Sequence, residues 1–276
     1  YSMQNIKKNR IILSISSDIG FALACDWLKK GYNVSGTYRN YSEKCKQLEM
    51  MGIKLTKCDL NDTNSIENVI NNFKDEENWD VLVLAAGTQD PVSNFQDCKF
   101  DEWEKSITSN FTGQIRFLHG VLANRNTQKN NIPTVIFFAG GGTNNATVNY
   151  SSYTISKIAS IKMCELLDAE IKDTAFTILG PGWVKTKIHN STIEAREKAG
   201  KNYNKTLEML ESSNFFPMSE VVECCEWIIN SKKELVGGRN FSAVFDPWKS
   251  KDINRINENT NNYKLRRFGN DLFSSE

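Results

Sequence analysis

Short apolar runs alternate with helix-forming stretches along most of the chain, and this alternation limits the possible folds more than any other feature. Runs rich in Ile, Val, Leu and Phe predict six strands, at residues 10–16, 32–38, 53–57, 80–84, 133–138 and 176–179. Between these runs, apolar residues recur with helical spacing, as at Ile19, Leu23 and Leu28. Several runs are apolar at every position, which is typical of strands buried on both faces. We therefore predict an α/β fold of Rossmann type, with a doubly wound parallel sheet in a single domain spanning residues 1–276.

Two segments lie outside this alternation. Residues 187–216 are polar and able to form helices, and they follow the sixth predicted strand. Because α/β sheets bind ligands at the carboxyl ends of their strands, this segment predicts a helical lid over a substrate pocket. A helical excursion on the surface fits the same pattern equally well. Residues 249–276 are charged and rich in Asn, and we expect a C-terminal tail that either covers an oligomer interface or is mobile.

The charge and the cysteines exclude several classes of function. The formal net charge is +1, so the sequence predicts no surface for binding nucleic acid or a membrane. The seven Cys include no Cys-x-x-Cys pair and the chain has only two His, so we expect neither a disulfide framework nor a metal site. No apolar run approaches the ~20 residues of a transmembrane helix, and no secretory signal is evident. These features predict a cytoplasmic protein.

Tyr153 and Lys157 are the first candidates for catalysis. Four positions separate them in a predicted helix over about residues 150–172, so both side chains lie on one face, one turn apart. An ammonium beside a phenol stabilises the phenolate, so we expect the pKa of Tyr153 to fall from about 10 toward neutrality. Tyr153 would then be a usable proton donor and acceptor. Such a pair can also occur by chance on a solvated helix face.

The turn after the first strand is a candidate phosphate-binding loop. A dinucleotide fold places the cofactor's diphosphate at the amino terminus of the helix that follows this strand. The turn has only Gly20, but its serines are small enough to let a phosphate approach. Asp18 would repel a phosphate unless its carboxylate is turned away. An ordinary capped helix start explains the turn equally well.

Arg39 stands at the end of the second strand, where enzymes that bind NAD usually carry Asp or Glu. A guanidinium at this place can bind a 2′-phosphate through two hydrogen bonds. The sequence therefore predicts a preference for NADP(H) over NAD(H). The alternative is an Arg that is simply exposed on the surface.

Further segments follow the predicted strands in a recurring order. They are Cys58-Asp59-Leu60-Asn61-Asp62 after the third strand, Leu84-Ala85-Ala86-Gly87 after the fourth, Asn110 in the long helical pattern from Phe100 to Leu122, and residues 181–186 (Pro-Gly-Trp-Val-Lys-Thr) after the sixth. Together with Tyr153 and Lys157, over about residues 10–247, these segments resemble the short-chain dehydrogenase/reductase family.

The resemblance implies a role for each matched residue. In the catalytic group, Tyr153 transfers the proton, and Asn110 anchors a water molecule. Lys157 lowers the pKa of Tyr153 and binds the nicotinamide ribose. Asp59 binds the adenine amino group, and residues 181–186 contact the nicotinamide amide. The implied cofactor-binding residues are Ser14, Ser16, Ser17, Ile19, Gly20, Arg39, Asp59, Leu60, Ala85, Ala86, Gly87, Tyr153, Lys157, Pro181, Gly182, Val184 and Thr186.

The resemblance also implies an activity, a substrate class and an assembly. The expected reaction is reversible hydride transfer between NADP(H) and a small-molecule carbonyl or secondary alcohol, beside a pocket shaped by Trp183 and His189. A homodimer or homotetramer is expected through the helices at residues 100–122 and 150–172. Residues 88–91, 140–142 and 243–248 look more like a bacterial subgroup linked to cell-surface sugar pathways.

Gly140 departs from the family pattern, which has a catalytic Ser thirteen residues before the Tyr. Loss of such a hydrogen-bond donor costs about 2.7–4 kcal/mol of transition-state stabilisation in other enzymes. Thr143, Asn144 and Ser151 are candidates to replace it. The alternative function is therefore a catalytically impaired nucleotide-binding protein of the same fold. A sugar-nucleotide epimerase or dehydratase ranks last, because those relatives carry a large C-terminal substrate domain.

Overall fold

Seven parallel strands form one sheet in the computed structural model, which describes residues 8–76, 78–128 and 130–273. The strands are β1 Asn9–Leu13, β2 Asn33–Tyr38, β3 Lys54–Lys57, β4 Val81–Leu84, β5 Thr134–Phe138, β6 Ala175–Gly180 and β7 Asn240–Ser242. Their order is β3-β2-β1-β4-β5-β6-β7. The chain changes direction across the sheet between β1 and β4, and such a switch point opens a crevice at the carboxyl ends of the strands.

Helices connect the strands and cover both faces of the sheet, which confirms the predicted fold class. They are α1 Asp18–Lys29, α2 Glu43–Met50, α3 Thr63–Lys74, α4 Phe100–Ile107, α5 Gly113–Val121, α6 Ser151–Glu170, α7 Asn190–Ala195, α8 Lys201–Glu211, α9 Met218–Asn230 and α10 Lys233–Val236. None of the helices within the described ranges is long and apolar enough to cross a membrane.

Two apolar layers explain why the predicted strands are apolar throughout. Successive strand residues point to opposite faces, so each strand contributes to both layers. Ile12, Val83 and Ile136 pack with α1 and α9 on one face. Leu13 and Leu84 pack with α3, α5 and α6 on the other.

Three parts of the fold differ from the expectation. The short strand β7 pairs with β6 but has the sequence Asn-Phe-Ser, which gives too little apolar pattern to be recognised. The long helix predicted from Phe100 to Leu122 contains a π-helical turn, Thr108–Thr112, between α4 and α5. The start of the C-terminal tail is packed, because Ile253 and Ile256 are buried in the same layer as α9.

The segment at 187–216 is helical, as the sequence predicts, and it packs against the loop after β4 and the residue before α6. It contains α7 and α8, and the buried Thr192 of α7 bonds to both neighbouring loops. Its hydroxyl lies 2.7 Å from the Tyr150 hydroxyl and donates to Gln89 Oε1 at 3.0 Å. We call residues 187–216 the lid, and its function remains a prediction.

A buried ion pair joins the first strand to α9. The Arg10 side chain is only 1% exposed, and its guanidinium donates to both carboxylate oxygens of Glu226, at 2.8 and 3.2 Å. The same guanidinium stacks 3.5 Å from the ring centroid of Tyr32. Burial raises the pKa of Glu226, but the bonds from Arg10 outweigh this effect and hold that pKa below its usual value.

Replacing Glu226 by Ala removes the carboxylate that accepts two hydrogen bonds from the buried Arg10 guanidinium. We expect the free energy of unfolding to fall by about 3–5 kcal/mol at pH 7, measured by urea denaturation. The matched control is Glu258→Ala, which removes an exposed ion pair with Arg255 and should cost less than about 1 kcal/mol. Equal effects of the two substitutions would contradict the role given to the buried pair.

Candidate active site

The carboxyl ends of the parallel strands bring the predicted catalytic residues together. Tyr153 and Lys157 lie in the first turns of α6 and are 9% and 6% exposed. A Cβ built at Gly87, just after β4, would lie 3.7 Å from Lys157 Nζ and 3.9 Å from Asn110 Oδ1. Asn110 and Lys157 thus lie close to the loop at Gly87 and face one space with it.

Lys157 is a buried cation held by a neutral partner. Its ammonium donates a 2.9 Å hydrogen bond to the carbonyl of Phe138, the last residue of β5. Burial disfavours the charged form and lowers the pKa of Lys157 to about 8. The ammonium can therefore lose its proton close to physiological pH.

The predicted lowering of the Tyr153 pKa is wrong for this structure. Burial of the phenol raises the pKa of Tyr153 to about 12, because the phenolate would lose its hydration. Lys157 Nζ lies 5.6 Å from the centre of the Tyr153 ring and donates to Phe138 instead of to the phenol oxygen. The sequence spacing showed that the two residues share a face, but it could not show where the ammonium points.

Gly140 and Tyr153 are in direct contact. A Cβ built at Gly140 would lie 2.5 Å from the Tyr153 hydroxyl and 2.7 Å from the ring carbons next to it. The phenol therefore occupies the space that a Ser side chain would need. Of the three candidate substitutes for that Ser, Ser151 already accepts a 2.9 Å bond from the Trp103 indole, Thr143 is half-buried, and Asn144 is exposed.

Asn110 uses its amide to hold the loop after β4. Its Oδ1 accepts from the Thr88 backbone N–H and its Nδ2 donates to the Thr88 carbonyl, both at 2.8 Å. The π-helical turn aims this side chain inward, and Gln114 on α5 supports it. Gln114 Nε2 donates to the carbonyls of Ala86 and Asn110, at 3.1 and 3.0 Å. The sequence analysis missed Gln114, whose position four residues after Asn110 was the available signal.

The turn after β1 adopts the conformation of a glycine loop with a single Gly. Ser14 has φ of 65°, a left-handed conformation that usually favours Gly, and its N–H donates to Thr37 Oγ1 at 2.9 Å. Ser17 caps α1 by accepting from Gly20 N–H at 3.1 Å. A Cβ at Gly20 would lie 2.6 Å from the Ser14 carbonyl, so Gly is required there. Ser14, Ser17 and Gly20 thus fit the turn of a dinucleotide site.

Asp18 does not fit this site as simply. Its carboxylate accepts a 2.7 Å bond from the Lys187 backbone N–H and forms an ion pair with Lys44. It is therefore turned toward the lid and α2 and partly neutralised there.

The other predicted cofactor residues follow the carboxyl ends of β1, β2, β3, β4 and β6. Arg39 is exposed, whereas Asp59 is half-buried and its carboxylate accepts from the Asn61 N–H at 2.9 Å. A Cβ at Gly113 would lie 2.5 Å from the Leu60 carbonyl, so the start of α5 and the segment after β3 touch. Among the remaining residues of this group, Val184 is buried. The others are partly or fully exposed, and they are Ser16, Ile19, Ala85, Ala86, Pro181, Gly182 and Thr186.

A stack of rings stands beside the segment after β6. The ring centroids of Trp183 and His189 are 3.9 Å apart, and the two ring planes make an angle of 12°. Phe215, a residue of the lid, has its ring centroid 5.8 Å from that of Trp183. His189 Nε2 is 2.9 Å from the Val184 carbonyl, and burial lowers the pKa of His189. The structure thus places Trp183 and His189 together, and it adds Phe215, which the sequence analysis missed because it is distant in sequence.

Known proteins share sequence features and the fold of this chain. Residues 8–197 match the sequence model of the short chain dehydrogenases. An uncharacterized oxidoreductase of Schizosaccharomyces pombe is 23% identical over 190 residues, which cover 67% of this chain and 72% of that protein.

Solved structures of low sequence identity share the fold. A short chain dehydrogenase/reductase from Saccharomyces cerevisiae superposes with a TM-score of 0.73 at 20% identity, over 87% of this chain and 97% of that chain. A variant of actinorhodin polyketide ketoreductase, solved with NADPH, gives a TM-score of 0.72 at 20% identity, over 85% and 95% of the two chains.

Replacing Lys157 by Met should stabilise the protein in a pH-dependent way. Because the pKa of Lys157 falls from 10.5 to about 8 on folding, burying its charge costs the wild type roughly 3 kcal/mol below pH 8. The Phe138 hydrogen bond that Met cannot make offsets about 1 kcal/mol of this cost. We therefore expect the variant to be more stable by about 2 kcal/mol at pH 7. The wild type should recover this difference as the pH rises from about 8 to 10.5, measured by urea denaturation.

Lys162→Met is the matched control, since Lys162 is an exposed residue of the same helix that pairs with Glu165. Its stability relative to the wild type should not change over the same pH interval. A Lys157→Met protein that is less stable than the wild type at pH 7 would contradict the assigned cost.

Proposed function

Since the chain belongs to the short-chain dehydrogenase/reductase family, we propose that it transfers a hydride between NADP(H) and a carbonyl or secondary alcohol, with Tyr153 as general acid and base. As a member of that family the protein is a nicotinamide-dependent oxidoreductase. The observation that carries the finer proposal is the buried Tyr153–Lys157 pair, which faces Gly87 and Asn110 at the carboxyl ends of β4 and β5.

The protonation state of Tyr153 supports a role as acid. With a pKa of about 12, the phenol keeps its proton at neutral pH and can donate it to a carbonyl oxygen that becomes an alcohol. In the opposite direction Tyr153 must first ionise, a step that the burial of the phenol opposes. The bound cofactor supplies the hydride, whereas the chain holds the substrate and moves the proton.

Several groups are suited to hold the cofactor. The turn from Ser14 to Gly20 offers backbone N–H groups at the amino terminus of α1 for the diphosphate. Asp59 would bind the adenine amino group, and residues 181–186 the nicotinamide amide. Arg39 follows β2 in an exposed position from which a guanidinium can bind a 2′-phosphate, which supports the preference for NADP(H).

A homo-oligomer in the cytoplasm completes the proposal. The helices α4 and α6 lie next to each other and leave large apolar side chains at the surface, with Phe100, Ile155 and Leu166 being 53%, 53% and 47% exposed. Burying such side chains against a second copy is favourable.

The second candidate function is a protein that binds the nucleotide but turns over slowly. It is supported by the contact of Tyr153 with Gly140, because position 140 has no hydroxyl and the phenol fills the space that a side chain there would need. Wild-type protein that binds NADPH but reduces none of a broad panel of aldehydes and ketones would favour this candidate.

The proposed acid is tested by Tyr153→Phe, which removes the hydroxyl and keeps the ring. We expect kcat/KM for carbonyl reduction to fall by at least about 100-fold, while the affinity for NADPH, measured by fluorescence titration, changes by less than about twofold. Tyr263→Phe is the control, because Tyr263 lies beside the edge strand β7, where its backbone carbonyl accepts from the Asn240 N–H at the start of that strand. Full activity of Tyr153→Phe would exclude the mechanism.

The cofactor preference is tested by Arg39→Gln. Loss of charged hydrogen bonds to a 2′-phosphate should weaken NADPH binding roughly 10- to 100-fold and leave NADH binding unchanged. The control Arg255→Gln removes another exposed guanidinium, far along the chain in the tail. If wild-type protein binds NADPH and NADH equally, Arg39 does not select the cofactor.

A further inference from the structure

The carboxylate of Asp18 joins three parts of the chain. Asp18 is the first residue of α1, and it accepts a 2.7 Å hydrogen bond from the Lys187 N–H at the start of the lid, 169 residues away. Its other oxygen pairs with the ammonium of Lys44 on α2. Burial raises the pKa of Asp18, but the bonds from Lys44 and Lys187 outweigh it and keep that pKa below its usual value. The carboxylate is therefore ionised at neutral pH.

This charge lies where the fold otherwise favours a bound anion. The amino terminus of the helix after β1 carries partial positive charge and N–H groups without helical partners. Asp18 places an anion of the chain itself at this end of α1. A diphosphate that approaches the same helix end must meet this carboxylate, and Lys44 is the cation that partly screens it.

The bond to Lys187 also fixes the next residue of the lid. Ile188 Cδ1 lies 3.9 Å from a Cβ built at Gly87, and the same point is 3.7 Å from Lys157 Nζ. The lid segment 187–188 therefore runs from the first turn of α1 to the catalytic group. These two ends are the places proposed for the diphosphate and for the nicotinamide, so the segment lies across the path of the cofactor.

We propose that Asp18 is a positioning residue that holds lid segment 187–188 closed across the cofactor cleft, and that a dinucleotide binds when the Asp18–Lys187 hydrogen bond opens. This inference rests on the proposed function, because it takes a nicotinamide dinucleotide as the ligand. A protein that must open before it binds shows an affinity reduced by the fraction of open molecules. Asp18 thus weakens cofactor binding and couples it to movement of the lid.

Asp18→Ala in the full chain removes the charge and the hydrogen-bond acceptor together. We expect NADPH to bind about tenfold more tightly in a fluorescence titration, because more molecules are open. In the absence of nucleotide, we also expect faster amide hydrogen exchange in residues 185–190, measured by mass spectrometry.

Asp18→Asn separates the two effects, because it removes the charge and keeps an oxygen that can accept from Lys187. Exchange in residues 185–190 should stay close to the wild-type rate, and the NADPH affinity should lie between those of the wild type and Asp18→Ala. The matched control is Asp26→Ala, which removes an acid at the other end of the same helix, where it pairs with Lys30. Its exchange and affinity should equal those of the wild type.

Equal exchange rates in Asp18→Ala and wild type would overturn the inference, whatever the nucleotide result. Faster exchange without tighter NADPH binding would overturn the coupling to the cofactor. If neither NADPH nor NADH binds the wild type or any variant, the proposed function itself fails, and the exchange rates still decide whether Asp18 holds the lid.

Discussion

The hydrogen-bonded register of the parallel strands is the constraint on which the candidate site depends. Leu13 pairs with Leu84, and Leu84 pairs with Phe137, so three strands end level with one another. Backbone pairing therefore makes neighbours of the serine turn, the loop at Gly87 and the strand end at Gly140, although each pair is more than 50 residues apart in sequence. The parallel pairing sets the positions of these strand ends, and the side chains of the site follow from them.

Much of this arrangement could be predicted from the sequence, because it follows from local patterns. Apolar runs identify strands that are buried on both faces, and the spacing of Tyr153 and Lys157 places both on one helical face. The π-helical turn was not predictable, since it changes the hydrogen bonding and leaves the apolar pattern intact. The pKa of Tyr153 was predicted in the wrong direction because it depends on burial and on the direction of an ammonium. The partnership of Asp18 with Lys187 depends wholly on tertiary structure.

The two buried cations, Arg10 and Lys157, have different partners, so one contributes to stability and the other to the chemistry of the site. Arg10 lies between aromatic rings and bonds to a carboxylate, an arrangement that compensates the guanidinium for its loss of water. Lys157 bonds to a neutral carbonyl and is left with a pKa of about 8. Arg10 links α9 to the sheet, whereas Lys157 can gain or lose its proton near physiological pH. The burial of Lys157 at the strand ends thus lowers the stability of the fold, whereas the pair of Arg10 and Glu226 helps to maintain it.

The contact between Tyr153 and Gly140 couples these two positions of the chain. In this chain the phenol fills the place of the Ser, so the two positions compete for one volume. A side chain at position 140 requires the Tyr153 ring to move, because its Cβ would otherwise lie against the ring. The effects of substitutions at positions 140 and 153 are therefore expected to be non-additive.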